Sequence, residues 1–437
     1  MIVMKFGGTS VGSASRIKHV ANLIHNSSSP VIAVLSAMSG TTNTLVAIAQ
    51  SFYKKDKETA FRLISDLETK YISDILELYN TKKWQQATIA FIKDTMKTLR
   101  SFSNDLFTNF EEKCVVAQGE LMSTQMMVNY LCEKNIAATM LPALDFMRTD
   151  KNGQPDMTQT KFLLEKLLND KSKYSIYITQ GFICRNAFGE IDNLQRGGSD
   201  YSASLIGATI KANEIQIWTD IDGVHNNDPR IVDGTTSVSQ LSYEEASELA
   251  YFGAKILHPT CVRPAKQATI PIRLKNTMQP DSEGTLINYQ IDKGIVKAVA
   301  AKDNMAILRI YNSNNMSMSA FFASISQLCN NYQTTIFISS CAEASMTICI
   351  ENNDNIEMII EDILAVGNVE TKRDVCIITT VGDLTPSDKQ FIYNTMTAMK
   401  TIDIHMISYG GSNYSISYVI DSSKKSVAMR RLSQILF

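Results

Sequence analysis

Four segments of the chain combine glycine, hydroxyl and charged residues in ways that favour binding of a phosphate or a carboxylate. The first, residues 5–12 (KFGGTSVG), lies between a strand-like run and a helix-like run. Adjacent glycines let backbone N–H groups approach an anion, and a helix N-terminus adds partial positive charge. The lysine precedes the glycines, so this is neither a Walker A loop nor a GxGxxG fingerprint. The spacing alone predicts a phosphate-binding loop or a plain strand-to-helix turn.

The second segment, residues 195–202 (QRGGSDYS), places an arginine before two glycines and an aspartate. The guanidinium of Arg196 offers a planar fork for a carboxylate or a phosphate, and the glycines expose backbone donors. Asp200 stands where it could cap the helix that follows. The alternative is a capped helix that has a solvated arginine in front of it.

The third segment follows a buried strand and reads WTDIDGV at residues 218–224, with NDPR at 227–230. Acidic and hydroxyl residues at the carboxyl end of a strand occupy the ligand crevice of an open α/β sheet. An Asp-Gly pair by itself predicts only a turn. The segment therefore favours a ligand site without identifying the ligand.

The fourth segment, residues 252–259 (FGAKILHP), carries Lys255. We expect this lysine in a helix that Pro259 helps to end, because proline cannot continue a helix from within. The alternative is an ordinary lysine on the surface.

Helix and strand signals alternate over the first 295 residues and predict the scaffold for these segments. Residues 31–35 (VIAVL) and 175–179 (SIYIT) are typical of strands buried on both faces. Residues 50–112 contain no Gly or Pro, and their apolar residues recur at helical spacing, which predicts two or three amphipathic helices. Alternation of this kind indicates a mostly parallel sheet with helices on both faces.

The pattern changes near residue 294. From residue 305 the chain gives strand, helix, two strands and helix, and the same order returns about seventy residues later. Glu351 and Asp421 close equivalent strands. This predicts a pair of ferredoxin-like βαββαβ units. Two such units beside a catalytic-looking core are typical of a small-ligand sensor.

Composition excludes several classes of protein. The 437 residues carry 42 Lys and Arg against 44 Asp and Glu, so neither a nucleic acid nor an anionic membrane is expected as a partner. The chain has no apolar run of transmembrane length and no signal-like N-terminus, which predicts a cytoplasmic protein. The eight cysteines form no C-x-x-C pair, so we expect buried thiols and no protein-built metal centre.

Taken together, the motifs resemble the aspartate kinases (aspartokinases) of the amino-acid kinase family. The matching motifs are KFGGTSVGS, LSAMSGTTN at 35–43, GELMS at 119–123, RGGSDYSA, WTDIDGV with DPR, and YFGAKILHP. The tail resembles the tandem ACT domains that follow in this family. The resemblance implies an α/β amino-acid kinase fold over residues 1–295, in which helices sandwich a mostly parallel sheet. Two ferredoxin-like ACT domains would follow at 296–370 and 371–437.

The resemblance implies transfer of the γ-phosphoryl group of Mg-ATP to the β-carboxylate of L-aspartate, giving 4-phospho-L-aspartate. This is the first step towards lysine, threonine and methionine. Catalysis would fall to Lys5, Asp200 and Lys255, with Asp200 orienting the lysines and Mg²⁺ held mainly by the ATP phosphates. The nucleotide would bind at Lys5, Phe6, Gly7, Gly8, Thr219, Asp220, His225, Arg230 and Lys255. Aspartate would bind at Ser36, Thr42, Glu120, Arg196 and Ser199.

Charge complementarity within that set assigns Arg196 to a substrate carboxylate and Glu120 to the α-ammonium. Two features depart from the family pattern. His225 replaces a common tyrosine beside the nucleotide. In the effector-loop-like segment 315–324, alanine replaces the usual glycine at 320 and an acidic residue is missing around Ser324. Feedback by lysine or threonine at the ACT domains is therefore an expectation that rests on the resemblance alone.

Two other functions stay open. One is a different acyl-phosphate-forming kinase that acts on glutamate or acetylglutamate. It would share the fold but should lack the KFGGTSV and RGGSDYSA motifs. The other is a catalytically inactive amino-acid sensor that retains the ACT pair. The family habit further implies a homodimer, sometimes a homotetramer.

Overall fold

A computed structural model describes residues 1–104, 106–194, 197–254, 257–313, 316–384 and 389–437. The chain divides into two compact units. The first contains Met1–Val224 and Leu257–Tyr289, and the second contains His225–Ile256 and Gln290–Phe437. Residues 225–256 therefore group with the C-terminal region. The bounds of the three domains expected from the sequence stay predictions.

The first unit is built on a sheet in which the strand order is β3-β4-β2-β1-β7-β9-β10. Its elements up to residue 219 are β1 (Ile2–Phe6), α1 (Ala14–His25), β2 (Val31–Leu35), α2 (Thr41–Tyr53), α3 (Lys57–Leu78), α4 (Lys82–Ser101), α5 (Asn109–Glu133), β3 (Ala138–Met140), α6 (Ala143–Phe146), α7 (Met157–Asp170), β4 (Ile176–Gln180), β5 (Ile183–Arg185), β6 (Ile191–Asn193), α8 (Gly198–Ile210) and β7 (Ile215–Thr219). The chain then forms β8 (Gln240–Ser242) and α9 (Tyr243–Tyr251) in the second unit and returns to the first unit with α10 (Pro259–Ala268), β9 (Ile272–Asn276) and β10 (Thr285–Asn288).

The central strands of this sheet are parallel, as the alternation of helices and strands predicts. Strand β1 lies between β2 and β7, with Ile2 opposite Val31 and Val3 opposite Ile215. Every residue of β2 and β4 is buried, because helices cover both faces of the sheet. Strand β10 runs antiparallel to its neighbour β9. The predicted mostly parallel α/β fold is confirmed.

The amphipathic region predicted at residues 50–112 contains α3, α4 and the start of α5. Polar caps fix two of these helices: Asp56 accepts from the backbone N–H of Thr59 before α3, and Thr108 and Glu111 form a capping box before α5. The apolar faces of α3 and α4 bury residues such as Ile64, which join the main core under the sheet.

The second unit contains an antiparallel sheet whose strand order is β12-β13-β11-β14-β16-β15. Clusters of apolar residues beneath the helices form its cores. The elements after residue 290 are β11 (Val296–Tyr311), α11 (Met318–Asn331), β12 (Ile336–Cys341), β13 (Ser345–Glu351), α12 (Ile356–Leu364), β14 (Asn368–Gly382), α13 (Lys389–Met399), β15 (Ile404–Tyr409), β16 (Ser415–Asp421), a 3-10 turn at Ser422–Lys424 and α14 (Lys425–Leu436).

The two long strands β11 and β14 join the repeats into one sheet. The second half of β11 pairs with β13. The first half of β11, from Val296 to Lys302, pairs with the second half of β14. The predicted second repeat ends in a helix and has no final strand. The start of β11 supplies that strand.

Equivalent ion pairs mark the same repeat in the structure. Lys302 Nζ lies 2.8 Å from Glu351 Oε1, and Lys372 Nζ lies 2.9 Å from Asp421 Oδ1. Each residue of the second pair follows its counterpart by seventy positions. Two degenerate sequences therefore place the same cross-strand pair at the same register, which fits the predicted duplication.

Two local expectations are wrong. Pro259 begins α10 instead of ending a helix, and α9 already ends at Tyr251. Proline suits a first helical position because the N–H that it lacks would have no partner there. Asp200 does not cap α8 either. The cap residue is Gly197, and Asp200 lies in the first turn of the helix.

The remaining global expectations concern membranes and thiols. Within the described ranges, no helix is long and apolar enough to cross a membrane. Cys114, Cys184, Cys261 and several other thiols are buried, whereas Cys341 is exposed. Burial raises the pKa of the Cys114 thiol to about 11, so this thiol stays protonated.

Candidate active site

The loops that follow the parallel strands meet at one edge of the first sheet. Residues 7–13 follow β1, residues 36–40 follow β2, Gly181 and Phe182 follow β4, and Asp220 follows β7. Since parallel strands have their carboxyl ends at the same edge, this edge is where an open α/β sheet binds ligands. The first and third motifs of the sequence both reach it.

An ion pair joins the first motif to the second. Lys5 Nζ lies 2.7 Å from Asp200 Oδ1, and the two side chains are 12% and 21% exposed. Strand β1 presents the lysine and the first turn of α8 presents the aspartate. The pair keeps the ammonium group at the sheet edge, beside the backbone of Gly7.

Glycine is required at position 8 because the β1 and β2 loops approach closely. A Cβ on Gly8 would lie 2.9 Å from the carbonyl oxygen of Ala37. That separation is shorter than real Cβ atoms tolerate. The absence of a side chain therefore lets the two loops line one cavity.

This cavity has a volume of about 430 Å³. Its walls come from the β1, β2 and β4 loops, from α5 and from the start of α8. It brings together Ser36, Thr42, Glu120, Ser199 and Gly8, all predicted from the sequence. The sequence interpretation missed Thr9, Met38, Ser39, Asn43 and Phe182, which also line it.

Hydroxyl groups fix the wall between the β2 loop and α8. Ser36 Oγ donates to Ser199 Oγ at 2.9 Å, and Ser123 Oγ donates to the carbonyl oxygen of Ser36 at 2.8 Å. This contact depends on Gly181, because a Cβ there would lie 2.3 Å from Ser199 Cβ. Gly181 therefore belongs to the site, although a single glycine at this position in the sequence did not indicate it.

Glu120 is the buried acid of the cavity. Its Oε1 accepts the backbone N–H of Ala37 at 3.1 Å, while Oε2 is buried without a partner. Burial raises the pKa of Glu120 to about 7, and the Ala37 hydrogen bond and Lys5 oppose that rise. An oxygen without a partner in a ligand cavity is suited to accept from a bound cation.

Thr219 and Asp220 lie at the end of β7, as predicted. Thr219 Oγ1 accepts the N–H of Ile221 at 3.1 Å, and its carbonyl oxygen accepts the N–H of Thr277 at 2.8 Å. Ser10 of the β1 loop shares a hydrogen bond of 2.7 Å with Thr277 Oγ1. Ser10 and Thr277 therefore tie the β1 loop to the end of β7, a link between distant positions that sequence motifs do not indicate.

Phe6 and Trp218 stack at the base of the same edge, with ring centroids 5.8 Å apart. Both rings are buried, and Lys275 Nζ lies 5.2 Å from the centroid of the Trp218 ring. Phe6 thus supports the loops from below.

Of the predicted site residues, two lie outside the described residues and two belong to the second unit. Arg196 and Lys255 lie outside the described residues. His225 and Arg230 belong to the second unit. There, His225 Nδ1 is 3.0 Å from Thr235 Oγ1, and Arg230 donates to both carboxylate oxygens of Asp228. The Arg230 hydrogen bonds hold the pKa of Asp228 below its usual value.

The donor set gives little support for a protein-built metal cage. Within the described ranges, no three His, Cys, Asp or Glu side chains group closely enough to hold a metal ion. The second and third motifs carry four acidic side chains, Asp200, Asp220, Asp222 and Asp228.

Comparison with known proteins identifies the family. The model of the amino acid kinase family matches residues 1–276. The lysine-sensitive aspartokinase 3 of Escherichia coli is 26% identical over all of this chain and 99% of its own length. The crystal structure of E. coli aspartokinase III with aspartate and ADP superimposes with a TM-score of 0.88 and 25% identity, covering 100% of both chains.

A second crystal structure of the E. coli enzyme, in complex with lysine and aspartate, gives a TM-score of 0.84 at 25% identity and covers 100% of this chain and 99% of that one. The resemblance to aspartokinases and the predicted fold class are thus confirmed over the whole length of the chain. The family model matches well over half of the residues, which shows that the chain belongs to the amino acid kinase family.

Proposed function

We propose that this protein is an aspartate kinase, which transfers the γ-phosphoryl group of ATP to the β-carboxylate of L-aspartate and releases 4-phospho-L-aspartate and ADP. One observation carries the proposal. One cavity is lined by Glu120, Gly8 and Ser199. Glu120 has a buried oxygen without a partner, and Gly8 and Ser199 neighbour the Lys5–Asp200 ion pair. The E. coli relative binds aspartate and ADP, which agrees with this assignment.

Glu120 is the proposed partner of the aspartate α-ammonium. Its buried Oε2 gains a charge-assisted hydrogen bond when the amino acid binds, which compensates for its desolvation. Ser36, Thr42 and Ser199 supply hydroxyl groups around the substrate. Arg196 is proposed to hold a substrate carboxylate, a role that rests on the sequence motif.

The chemistry needs no general base. The aspartate carboxylate is already ionised at neutral pH, so it can attack the phosphorus without losing a proton. The obstacle is repulsion between two anions that must meet in line. Lys5 and the backbone of Gly8 are proposed to neutralise this charge, with Asp200, 2.7 Å from the Lys5 ammonium, holding it in position.

The nucleotide is proposed to bind along the β1 and β7 loops. Lys5, Phe6, Gly7 and Gly8 would border the phosphates, and Thr219 and Asp220 would border the rest of the nucleotide. His225, Arg230 and Lys255 complete the proposed nucleotide site, and their assignment rests only on the resemblance of their sequence motifs to the family.

Mg²⁺ is the proposed second cofactor. The acidic side chains described here form no three-ligand cluster, so the ion fits this edge as a complex with ATP and not as a resident metal. When bound, it supplies positive charge to the phosphate oxygens. The residues of the chain then orient the nucleotide, through Lys5 and the glycine turn, towards the cavity.

The second unit is the proposed sensor. The E. coli relative was crystallised with lysine, and lysine or threonine is the proposed effector class here. The proposed assembly is a homodimer or homotetramer, which light scattering would establish.

The function is tested by trapping the acyl phosphate. The full chain is incubated with ATP, Mg²⁺ and one amino acid, and hydroxylamine converts any acyl phosphate to a coloured hydroxamate. We expect hydroxamate from aspartate and none from glutamate or acetylglutamate. Product from glutamate or acetylglutamate alone would assign a different amino-acid kinase, and none from any of them would favour an inactive sensor.

A further inference from the structure

Helix α3 contacts both loops that border the cavity, although no motif of the sequence lies on it. Three residues of one face, Lys70, Tyr71 and Asp74, occupy positions i, i+1 and i+4. Each of them makes a polar contact outside the helix. These contacts reach the loop after β2 and the helix after β1.

Two of the contacts hold the β2 loop. Lys70 Nζ donates to the carbonyl oxygen of Ser39 at 2.7 Å. The hydroxyl of Tyr71 shares a hydrogen bond of 3.1 Å with Thr41 Oγ1, and both side chains are fully buried. Ser39 lines the cavity, and Thr41 precedes the cavity residue Thr42.

The third contact reaches the β1 loop. Asp74 is half-buried, and the backbone N–H of Ala14, the first residue of α1 after the β1 loop, lies near enough to lower the pKa of this carboxyl against the opposing effect of burial. A carboxylate at a helix N-terminus is favourable because it satisfies a free N–H and the helix dipole. One turn of α3 therefore holds the end of the β2 loop and lies beside the end of the β1 loop.

Gly40 explains why the β2 loop needs this anchor. It adopts a left-handed conformation with φ of 79°, and α2 begins after it without a side-chain cap. Within the loop, the Thr41 N–H donates to the carbonyl oxygen of Met38 at 2.9 Å. Other groups hold the loop from outside: Ser123 and Ser199 through Ser36, Glu120 through Ala37, and α3 through Ser39 and Thr41.

We propose that α3 is a brace for the substrate side of the active site, in which Tyr71 and Lys70 are positioning residues for aspartate binding. They act through the β2 loop and do not touch the substrate. The inference rests on the proposed aspartate kinase function. It predicts that loss of the Tyr71 hydroxyl weakens aspartate binding more than it affects ATP binding or turnover.

Tyr71→Phe is the first variant, and Tyr79→Phe is its matched control. Tyr79 ends the same helix, is 2% exposed, and donates its hydroxyl to the carbonyl oxygen of Met126 at 2.8 Å. Both variants lose one buried hydrogen bond and are expected to lose similar stability. We expect the aspartate KM to rise about five- to tenfold for Tyr71→Phe only, with the ATP KM and kcat within twofold of the wild type.

Lys70→Met is a second variant that does not depend on the core, because Lys70 is exposed. Its control is Lys18→Met, which removes a similar 2.8 Å bond from a lysine to the carbonyl oxygen of Glu77. The aspartate KM is expected to rise about threefold for Lys70→Met, to stay unchanged for Lys18→Met, and to return towards wild type in Lys70→Arg.

Amide hydrogen exchange separates failure of the brace from failure of the proposed function. Residues 36–43 should exchange faster in Tyr71→Phe than in Tyr79→Phe, whatever the substrate. Equal exchange in the two variants, or an equal rise of the aspartate and ATP KM values, would overturn the brace. If the wild type made no aspartyl phosphate while the loop still exchanged faster in Tyr71→Phe, the function would fail and the brace would stand.

Discussion

The two sheets of the molecule distribute their polar side chains in different ways. In the first unit the central strands β2 and β4 are wholly buried, and the polar groups collect in the loops at one edge. In the second unit, charged side chains pair across neighbouring strands, as Lys302 does with Glu351. The lysine–carboxylate pair of the first unit, Lys5 with Asp200, is therefore proposed to serve the chemistry, whereas the pair in the second unit joins two strands.

Lys5→Ala gives the largest expected effect. The variant loses the ammonium group that would stabilise the transferring phosphoryl group, which costs about 3 kcal/mol of transition-state stabilisation. We therefore expect kcat to fall about a hundredfold to a thousandfold. The measurement is the hydroxamate assay at saturating substrates, with thermal unfolding to show that the fold persists.

Lys372→Ala is the control for that prediction, because it removes a paired lysine from the other sheet. Lys372 is 46% exposed, and such ion pairs contribute about 1 kcal/mol or less to stability. Its kcat should stay within twofold of the wild type. Equal activity of the two variants would remove Lys5 from the catalytic role.

Gly181→Ala tests whether the edge of the first sheet depends on close backbone approach. The added Cβ would lie 2.3 Å from Ser199 Cβ, so the loop or α8 must shift. Overpacking of this kind costs about 1–3 kcal/mol, and we expect kcat/KM for aspartate to fall about ten- to a hundredfold.

The control is Gly411→Ala in the second unit, where an added Cβ meets no atom within 4 Å. It should leave kcat/KM unchanged. If Gly181→Ala also left kcat/KM unchanged, the contact between Ser36 and Ser199 would not matter for substrate binding.

Much of this comparison was accessible from the sequence. Apolar runs such as residues 31–35 predicted buried parallel strands, and the geometry of parallel strands then brought Lys5, Ser36 and Thr219 to one edge. The repeat was also visible, since the equivalent acids Glu351 and Asp421 end equivalent strands. Patterns of this type report which face of an element is buried, and burial dominates the fold.

The missed features depend on contacts between distant positions. The helical spacing places Tyr71 on the apolar face of α3, but nothing in it indicates that its hydroxyl meets Thr41. From the sequence, Asp200 could equally cap the helix or form an ion pair. The position of Lys5 in the structure decides for the ion pair. Pro259 is compatible with either end of a helix until the turn before it is known.

Acidic pH should weaken aspartate binding through Glu120. Burial raises the pKa of this carboxyl to about 7, and only the ionised form attracts the α-ammonium. The aspartate KM should therefore be flat above pH 7 and rise up to tenfold for each unit below it. In Glu120→Gln the KM should be high at every pH, and the ATP KM should not follow the same profile. A KM for aspartate that is independent of pH between 5.5 and 8 in the wild type would contradict the assignment.

The smallest expected effect concerns the second unit, where the effector-loop-like segment 315–324 carries no acidic residue in its sequence. The effector-loop resemblance places Ser324, a half-buried residue of α11, near the usual acidic position. We expect weak binding of lysine to the wild type and about fivefold tighter binding to Ser324→Asp, since a hydrogen bond to a charged group adds more than a neutral one. Isothermal calorimetry with lysine measures the change. Threonine, which has no side-chain ammonium group, serves as the control ligand and should not distinguish the two proteins. Tight lysine binding by the wild type would show that the second unit recognises the ammonium through other groups, and the contrast between an acidic first site and a neutral second site would then fail.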